Sequence, residues 1–472
     1  MARVTTEAFD SSRASSGIRS LVDRDALGAL VLAAAIPFLF LHERYQPDLS
    51  LNTGSTTVDI RLSDVAMLVV LVATVVALVD SGLDRLRAAR WLWLTGGALL
   101  VWLAFQAFRP ASLDDALFDD HLVSFAKLVE YAVLVVAVPA LVRRAADLRI
   151  LIGALVLWAA VAVAVALLQF FGVDIFGAWK AGWRQPSFLG HHDLAALSAI
   201  ALALAAAGIV ARRRELPAQS FFLVALVAGI LGLVVAGSVA AAGGLAVGSL
   251  VMWLAARRRF RPSGRRTLAL VAVVAVVAGG VVAVRGDALG DFVRFLGIRG
   301  NDRPVGVETY SQRTVLSYIG LRIFQDHPIV GVGWQRSSRA DVFEPYLDDA
   351  HKRFPDVVEL AFPAPGREWG VQNLYIQMLA DAGVIGFGLL LAVGAIGLLL
   401  AWRAATRAPT PWAAGAGLLV VCALLTLAGE WASLGIVAGI PLQAASCLLL
   451  GLAAAGAAAA QDLERRPEVG VR

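Results

Sequence analysis

The side chains able to do chemistry in this sequence sit in polar connections between apolar runs. Ahead of the sixth run stand Lys180, Arg184, His191 and His192. A polar stretch at 286–372, unusually long between two apolar runs, carries Arg313, His327 and Glu368. It leads into Gln372-Asn373-Leu374-Tyr375-Ile376-Gln377. An arginine brings a permanent charge and a planar donor fork, and a histidine or glutamate can exchange a proton. The amides of Gln372 and Asn373 can only orient a partner by hydrogen bonds. Asp381 and Glu430, at the edges of apolar runs, are either interfacial or functional, because a carboxylate is costly to keep near a bilayer. His191 and His192 have a plainer alternative: with Asp193 they could cap the helix that begins there.

The chain that must position these groups is strongly apolar. Of its 472 residues 59% are hydrophobic and 16% charged, with a mean hydropathy of +0.74. Soluble domains sit nearer half apolar and a quarter charged, so this is an integral membrane protein. The net charge of +5 does not point to nucleic acid. No basic, aromatic-interleaved face exists to hold a strand, and the arginines fall in short clusters suited to anionic lipid heads. Cys422 and Cys447 lie inside apolar runs, which argues against a disulfide framework or a thiolate metal site. No HExxH-like spacing occurs, so neither metal nor cofactor is predicted.

Runs of roughly 17–25 apolar residues mark membrane spans. About twelve are readable, at 26–41, 64–79, 91–108, 122–142, 150–171, 194–210, 221–236, 239–256, 268–284, 381–402, 412–428 and 436–459. The expected fold class is an all-α polytopic membrane protein with one large, partly helical loop between spans nine and ten. Its divisions are a tail at 1–24, spans one to nine within 25–285, the loop at 286–372, spans ten to twelve within 373–460 and a tail at 461–472. Alternate connections are basic: Arg85, Arg87 and Arg90; Arg143, Arg144 and Arg149; Arg212 to Arg214; Arg257 to Arg266; Arg403 and Arg407; Arg465 and Arg466. All share a side with the basic N-terminus, so the positive-inside rule places both termini in the cytoplasm and the loop outside. The Ala-, Val-, Leu- and Arg-rich composition suggests a bacterial source. Within the loop, Val315, Leu316, Ile319 and Ile323 predict a helix that Pro328 ends and a turn at Gly331-Val332-Gly333 follows. A second, acidic stretch spans 338–353, with Phe343, Tyr346 and Leu347 as its apolar contacts. The plain expectation is that both stripes lie on the membrane surface.

Three motifs in this order resemble those of the O-antigen ligase and O-antigen polymerase superfamily, polytopic ligases of cell-envelope glycans. The first is Arg184-Gln185-Pro186-Ser187-Phe188-Leu189-Gly190-His191-His192-Asp193. The second is Arg313 followed by Ile323-Phe324-Gln325-Asp326-His327-Pro328-Ile329-Val330-Gly331-Val332-Gly333. The third is the Gln372–Gln377 stretch with Ala382-Gly383-Val384-Ile385-Gly386 after it. The resemblance implies a metal-independent glycosyltransferase of the inner (plasma) membrane that works in polysaccharide biosynthesis. Its donor would be a glycan on a polyprenyl diphosphate such as undecaprenyl diphosphate, and its acceptor a hydroxyl of a glycan, lipid or protein on the outer face. Alternatives are a polymerase of lipid-linked repeat units, a polysaccharide transporter or a member without catalysis. In this reading Arg184 and Arg313 clamp the diphosphate and Lys180 adds a third charge. Asn373, Tyr375 and His327 join Gln372 in holding substrate.

Two departures stand out. The family places a histidine where this chain has Gln372, and an amide is no base. Either another group serves (Glu368, His191, His192 or His327), or cleavage runs ahead of attack and needs little base, or only a binding role remains. Where many members carry Ser-Arg-Gly, this chain reads Gly237-Ser238-Val239, so one possible diphosphate contact is absent. The small residues that follow, Ala240 to Gly244, suit close helix packing.

Overall fold

The computed structural model describes residues 26–52, 57–109, 118–211, 218–295, 309–366, 370–436 and 441–464. Glu368, the two tails as far as residues 1–25 and 465–472, and the Arg212–Arg214 cluster lie outside the described residues. A short apolar helix, α1 (Leu27–Leu39), opens the chain. A two-stranded antiparallel hairpin follows, β1 (Asp48–Asn52) and β2 (Thr57–Arg61), with Asp48 opposite Arg61. Eight long helices come next: α2 (Leu62–Ser81), α3 (Arg90–Ala107), α4 (Phe118–Leu141), α5 (Ala145–Phe170), α6 (His191–Val210), α7 (Phe222–Ala236), α8 (Val239–Arg259) and α9 (Gly264–Phe295). The loop region contributes α10 (Thr309–Asp326), α11 (Ala340–Phe343) and α12 (Leu347–Arg353). The last three helices are α13 (Leu374–Arg407), α14 (Pro411–Trp431) and α15 (Pro441–Glu464).

Eleven helices among the described residues are long and apolar enough to cross a membrane, α2 to α9 and α13 to α15. The all-α polytopic class is therefore observed, with one difference in count. The first expected span is a helix of 13 residues, about 20 Å at 1.5 Å per residue, short of the roughly 30 Å hydrocarbon core. The β-hairpin carried no sequence signal that we read.

The bundle is built around α6. Of its apolar window 94% is buried, and the alanines from Ala195 to Ala207 let neighbours approach closely. Two glycines of α8 settle its main contact. A methyl added at Gly244 would sit 2.7 Å from the Thr426 carbonyl oxygen, and one at Gly248 would sit 2.6 Å from that of Cys422. Only glycine lets these backbones approach so closely, so α8 and α14 lie antiparallel and nearly touching. The first residues of α8 thereby meet the last residues of α14. The described basic connections lie toward the opposite end: Arg143 Nη2 donates to the Ala77 carbonyl at 3.1 Å, and Arg259 reaches that of Ala408.

Two loop expectations need revision. Helix α9 runs to Phe295, past residue 286 where the polar stretch begins, so Arg285 is still helical. The apolar stripes of the loop also do not simply lie on the membrane. Val315, Ile319 and Ile323 pack with Phe343, Ala350 and Phe362 in a small core of their own, because facing stripes bury more apolar surface together than either does alone.

That core is pinned to the bundle at a break in α13. Gly383 has φ +65° and ψ −170°, and the 328–333 segment fills the opening. Val332 N donates to Ala380 O at 2.9 Å, Gly333 N to Asp381 O at 2.9 Å, and Val384 N to Pro328 O at 2.8 Å. The buried Asp381 carboxylate accepts from Gln335 N at 3.2 Å and Ser337 N at 2.9 Å. Trp102 and Arg109 add bonds of 3.0 Å to the Ala382 and Gly331 carbonyls. The second motif's glycines and Asp381 are thus anchors of the loop.

Candidate functional site

The residues with chemistry converge where α6, α8 and α10 begin and α7 and α14 end, beside Arg285 in the last third of α9. The loop before α6 is held rigidly. Gln185 N donates to Val235 O at 2.9 Å, Ser187 Oγ to Ala162 O at 2.7 Å, and Gln169 Oε1 accepts from Ser187 N at 2.8 Å. Residues Gln185 to Leu189 are buried, and this fixes Arg184 beside the end of α7. Gly237, in the left-handed region at φ +62°, ends α7 without a side chain between two arginines. A methyl there would sit 3.1 Å from Arg184 Cβ and 3.3 Å from Arg285 Cδ.

Glu430 is fully buried at the end of α14. Its Oε1 bonds His192 Nδ1, and its Oε2 accepts from Ser238 Oγ, which also caps α8 by accepting from Ala241 N at 3.1 Å. On the far side of the imidazole, Arg313 Nη2 stands 3.2 Å from His192 Nε2, and Arg313 Nε donates to Gln372 Oε1 at 2.9 Å. A guanidinium can only donate. His192 Nε2 is therefore the acceptor, and the proton sits on Nδ1, donated to Glu430. This pattern orients the imidazole with its Nε2 lone pair toward Arg313.

Arg285 is 8% exposed, lies 5.4 Å over the Tyr310 ring, and has a buried Nε with no acceptor among the described residues. Arg184 is pulled down to about 10, first by burial and then by the charges of Arg285 and Arg313. Arg313 is also lowered, again mainly by burial; Glu430 and Tyr310 oppose that shift and Arg285 adds to it. Three guanidinium groups therefore cluster together, two of them within the field of one buried carboxylate. The arrangement is short of negative charge and suits a multiply charged anion.

The O-antigen ligase family model matches residues 221–391. That segment, 171 of the 472 residues, is similar to the O-antigen ligase family. No curated protein matches the chain. The family segment contains Ser238, Arg285, Arg313 and Gln372. Arg184, His191 and His192 come before it and Glu430 after it, so the site joins that segment to the helices around it.

Against the sequence expectations, the structure brings together Arg184, Arg313, His192 and Gln372. His191 lies alongside, hydrogen-bonded to the Arg184 backbone and edge-on to Trp179 at 5.8 Å between ring centroids. The histidines do not cap their helix: Gly190 is its N-cap, without a side-chain bond, and Asp193 instead accepts from Leu442 N at 3.0 Å at the start of α15. Lys180 is exposed and stacks on Trp183 at 3.8 Å, and His327 is exposed at the far end of α10. Asn373 and Tyr375 work as braces. Asn373 caps α13, accepting from Tyr375 N at 3.0 Å, and donates to Ala432 O at 2.9 Å; Tyr375 Oη donates to Ala428 O at 2.6 Å. Both bonds hold the turn that carries Glu430.

Sequence reasoning missed Arg285 and Tyr310. One signal was available: Arg285 closes an apolar run at the end where the connections are otherwise not basic clusters. Ser238 drew notice for the arginine that does not follow it, and Glu430 as an interfacial acid, but nothing linked them.

Proposed function

We propose that the chain is a membrane glycosyltransferase that moves a glycan from a polyprenyl diphosphate to an acceptor hydroxyl. The observation that carries this reading is the oriented His192–Glu430 pair facing three clustered arginines. Arg184, Arg285 and Arg313 take the diphosphate. A phosphate oxygen is a stronger acceptor than an imidazole nitrogen, so the donor draws Arg313 off and leaves His192 Nε2 free. The acceptor O–H loses its proton to Nε2 as its oxygen attacks the anomeric carbon. The bond from that carbon to the diphosphate oxygen breaks, and the leaving diphosphate keeps the electron pair under the arginines. Glu430 stabilises the resulting imidazolium. In this reading His192 supplies the base that Gln372 cannot be, and Gln372 holds Arg313 in place. The basic connections at the opposite end support a site on the outer face of a bacterial plasma membrane, with both termini in the cytoplasm.

The test uses purified protein in nanodiscs with a polyprenyl-diphosphate-linked glycan, following release of polyprenyl diphosphate. His192→Ala is expected to lower turnover at least about 100-fold while donor binding persists. Turnover unchanged in that variant would overturn the reading.

A further inference from the structure

At the end of the bundle opposite the site, α8 and α9 leave an outward-facing groove between them. Its apolar part, about 410 Å³, is lined by residues that include Ala246, Leu250, Val274 and Ala278. Trp253, Thr267 and Val271 continue it into a wider mouth, about 740 Å³, that carries Arg257 and Arg261. Trp253 Nε1 donates to Thr267 Oγ1 at 3.0 Å across the groove, and the Arg257 guanidinium lies 4.7 Å over the Trp253 ring. Along α9 the wall runs from Thr267 to Ala278, roughly 16 Å at 1.5 Å per residue. That is about half of a ~30 Å hydrocarbon core, the depth of one leaflet.

The mouth is cationic. Six arginines lie between 257 and 266, and no acid occurs between 250 and 286. Arg258 is engaged over the Trp402 ring at 5.3 Å, and Arg259 with the Ala408 carbonyl. Arg257 and Arg261 have no acidic partner among the described residues. Arg261 also holds φ +47°, a conformation side chains rarely adopt and glycine adopts freely.

We propose that this groove binds one anionic glycerophospholipid, its headgroup phosphate on Arg257 and Arg261 and one acyl chain along α8 and α9. The inference is independent of the transfer reaction. A zwitterionic headgroup would set its own cation against the arginines, and a free phosphate would leave the apolar wall unused.

The test is native mass spectrometry of the intact chain released from nanodiscs of mixed phosphatidylglycerol and phosphatidylcholine. One phosphatidylglycerol retained per chain in preference to phosphatidylcholine is the expected result. Arg257→Ala and Arg261→Ala should each weaken retention roughly fivefold, the usual effect of one basic residue at an anionic surface. Ala278→Phe, which fills the groove without changing charge, should also weaken it, and glycerol phosphate without chains should not compete. Circular dichroism confirms that the variants fold. Equal retention of both lipids, undiminished retention in the arginine variants, or a polyprenyl phosphate as the retained species would each overturn the proposal.

Discussion

Replacing Glu430 by Gln isolates the charge of the buried carboxylate from its shape. Both oxygens of Glu430 accept hydrogen bonds, from His192 Nδ1 and from Ser238 Oγ. A glutamine can keep its carbonyl toward His192 and turn its amide to the serine hydroxyl, which has a spare lone pair. The tautomer then survives and the negative charge does not. If His192 becomes an imidazolium during transfer, the variant loses its attraction to Glu430. At about 4 Å and an effective dielectric near 20 that attraction is about 4 kcal/mol, close to a thousandfold in rate. The opposite amide orientation forces the proton onto Nε2, facing Arg313, and loss of the correct tautomer carries a penalty of up to ~10⁴ in histidine–carboxylate pairs. Either way kcat should fall ~10³-fold or more while the KM for the lipid-linked donor moves little, since the arginines remain. The assay is release of polyprenyl diphosphate under saturating donor, with thermal unfolding as the control for fold. A Glu430→Gln protein that folds and turns over within threefold of the parent would refute the oriented-imidazole reasoning.

Other outcomes follow from the same geometry. Arg285→Ala and Arg313→Ala should each weaken pyrophosphate binding about 10- to 100-fold, the loss of a charge-assisted bond. Arg285→Ala should leave the ligand-free Tm no lower, because it removes a buried cation, crowded by two other arginines and with no acceptor for its Nε among the described residues; a Tm drop of several degrees would contradict that. Arg184 sits near 10 rather than 12.5, so its charged form is disfavoured by folding below about pH 10 and this penalty is relieved as pH rises toward 12.5. Stabilisation by added pyrophosphate should accordingly hold from pH 7 to 9 and fade through about pH 10, and calorimetry showing it undiminished above about pH 10 would exclude Arg184 from the anion site. Gly383→Ala would place a methyl 2.1 Å from Ile329 O at φ +65°, costing about 2–5 kcal/mol. It should raise hydrogen exchange across 328–334, and unchanged exchange there would argue against the loop anchor.

Much of the architecture was readable before any coordinates. Apolar runs gave the long helices because a bilayer demands about twenty such residues in a row, and the arginine clusters marked one end of the bundle. The small residues from Ala240 to Gly244 marked a face for close helix packing, and Gly331-Val332-Gly333 marked a turn; that Gly248 meets α14 and that Gly383 opens α13 to the loop came only with the packing. Arg184 and Arg313 stood out because they sit where the resembled motifs carry arginines, and a planar, permanently charged fork suits a diphosphate. What the sequence could not supply was which helices face each other and how each is rotated. Helix α6 is apolar on all sides, so no stripe says where His192 points. Glu430 lies 238 residues from it and meets it because α14 packs against both α6 and the glycine face of α8. Only that packing turns an interfacial acid and a histidine at a helix start into one pair. The packing of α9 likewise brings Arg285 to the cluster where the arginine after Ser238 is missing.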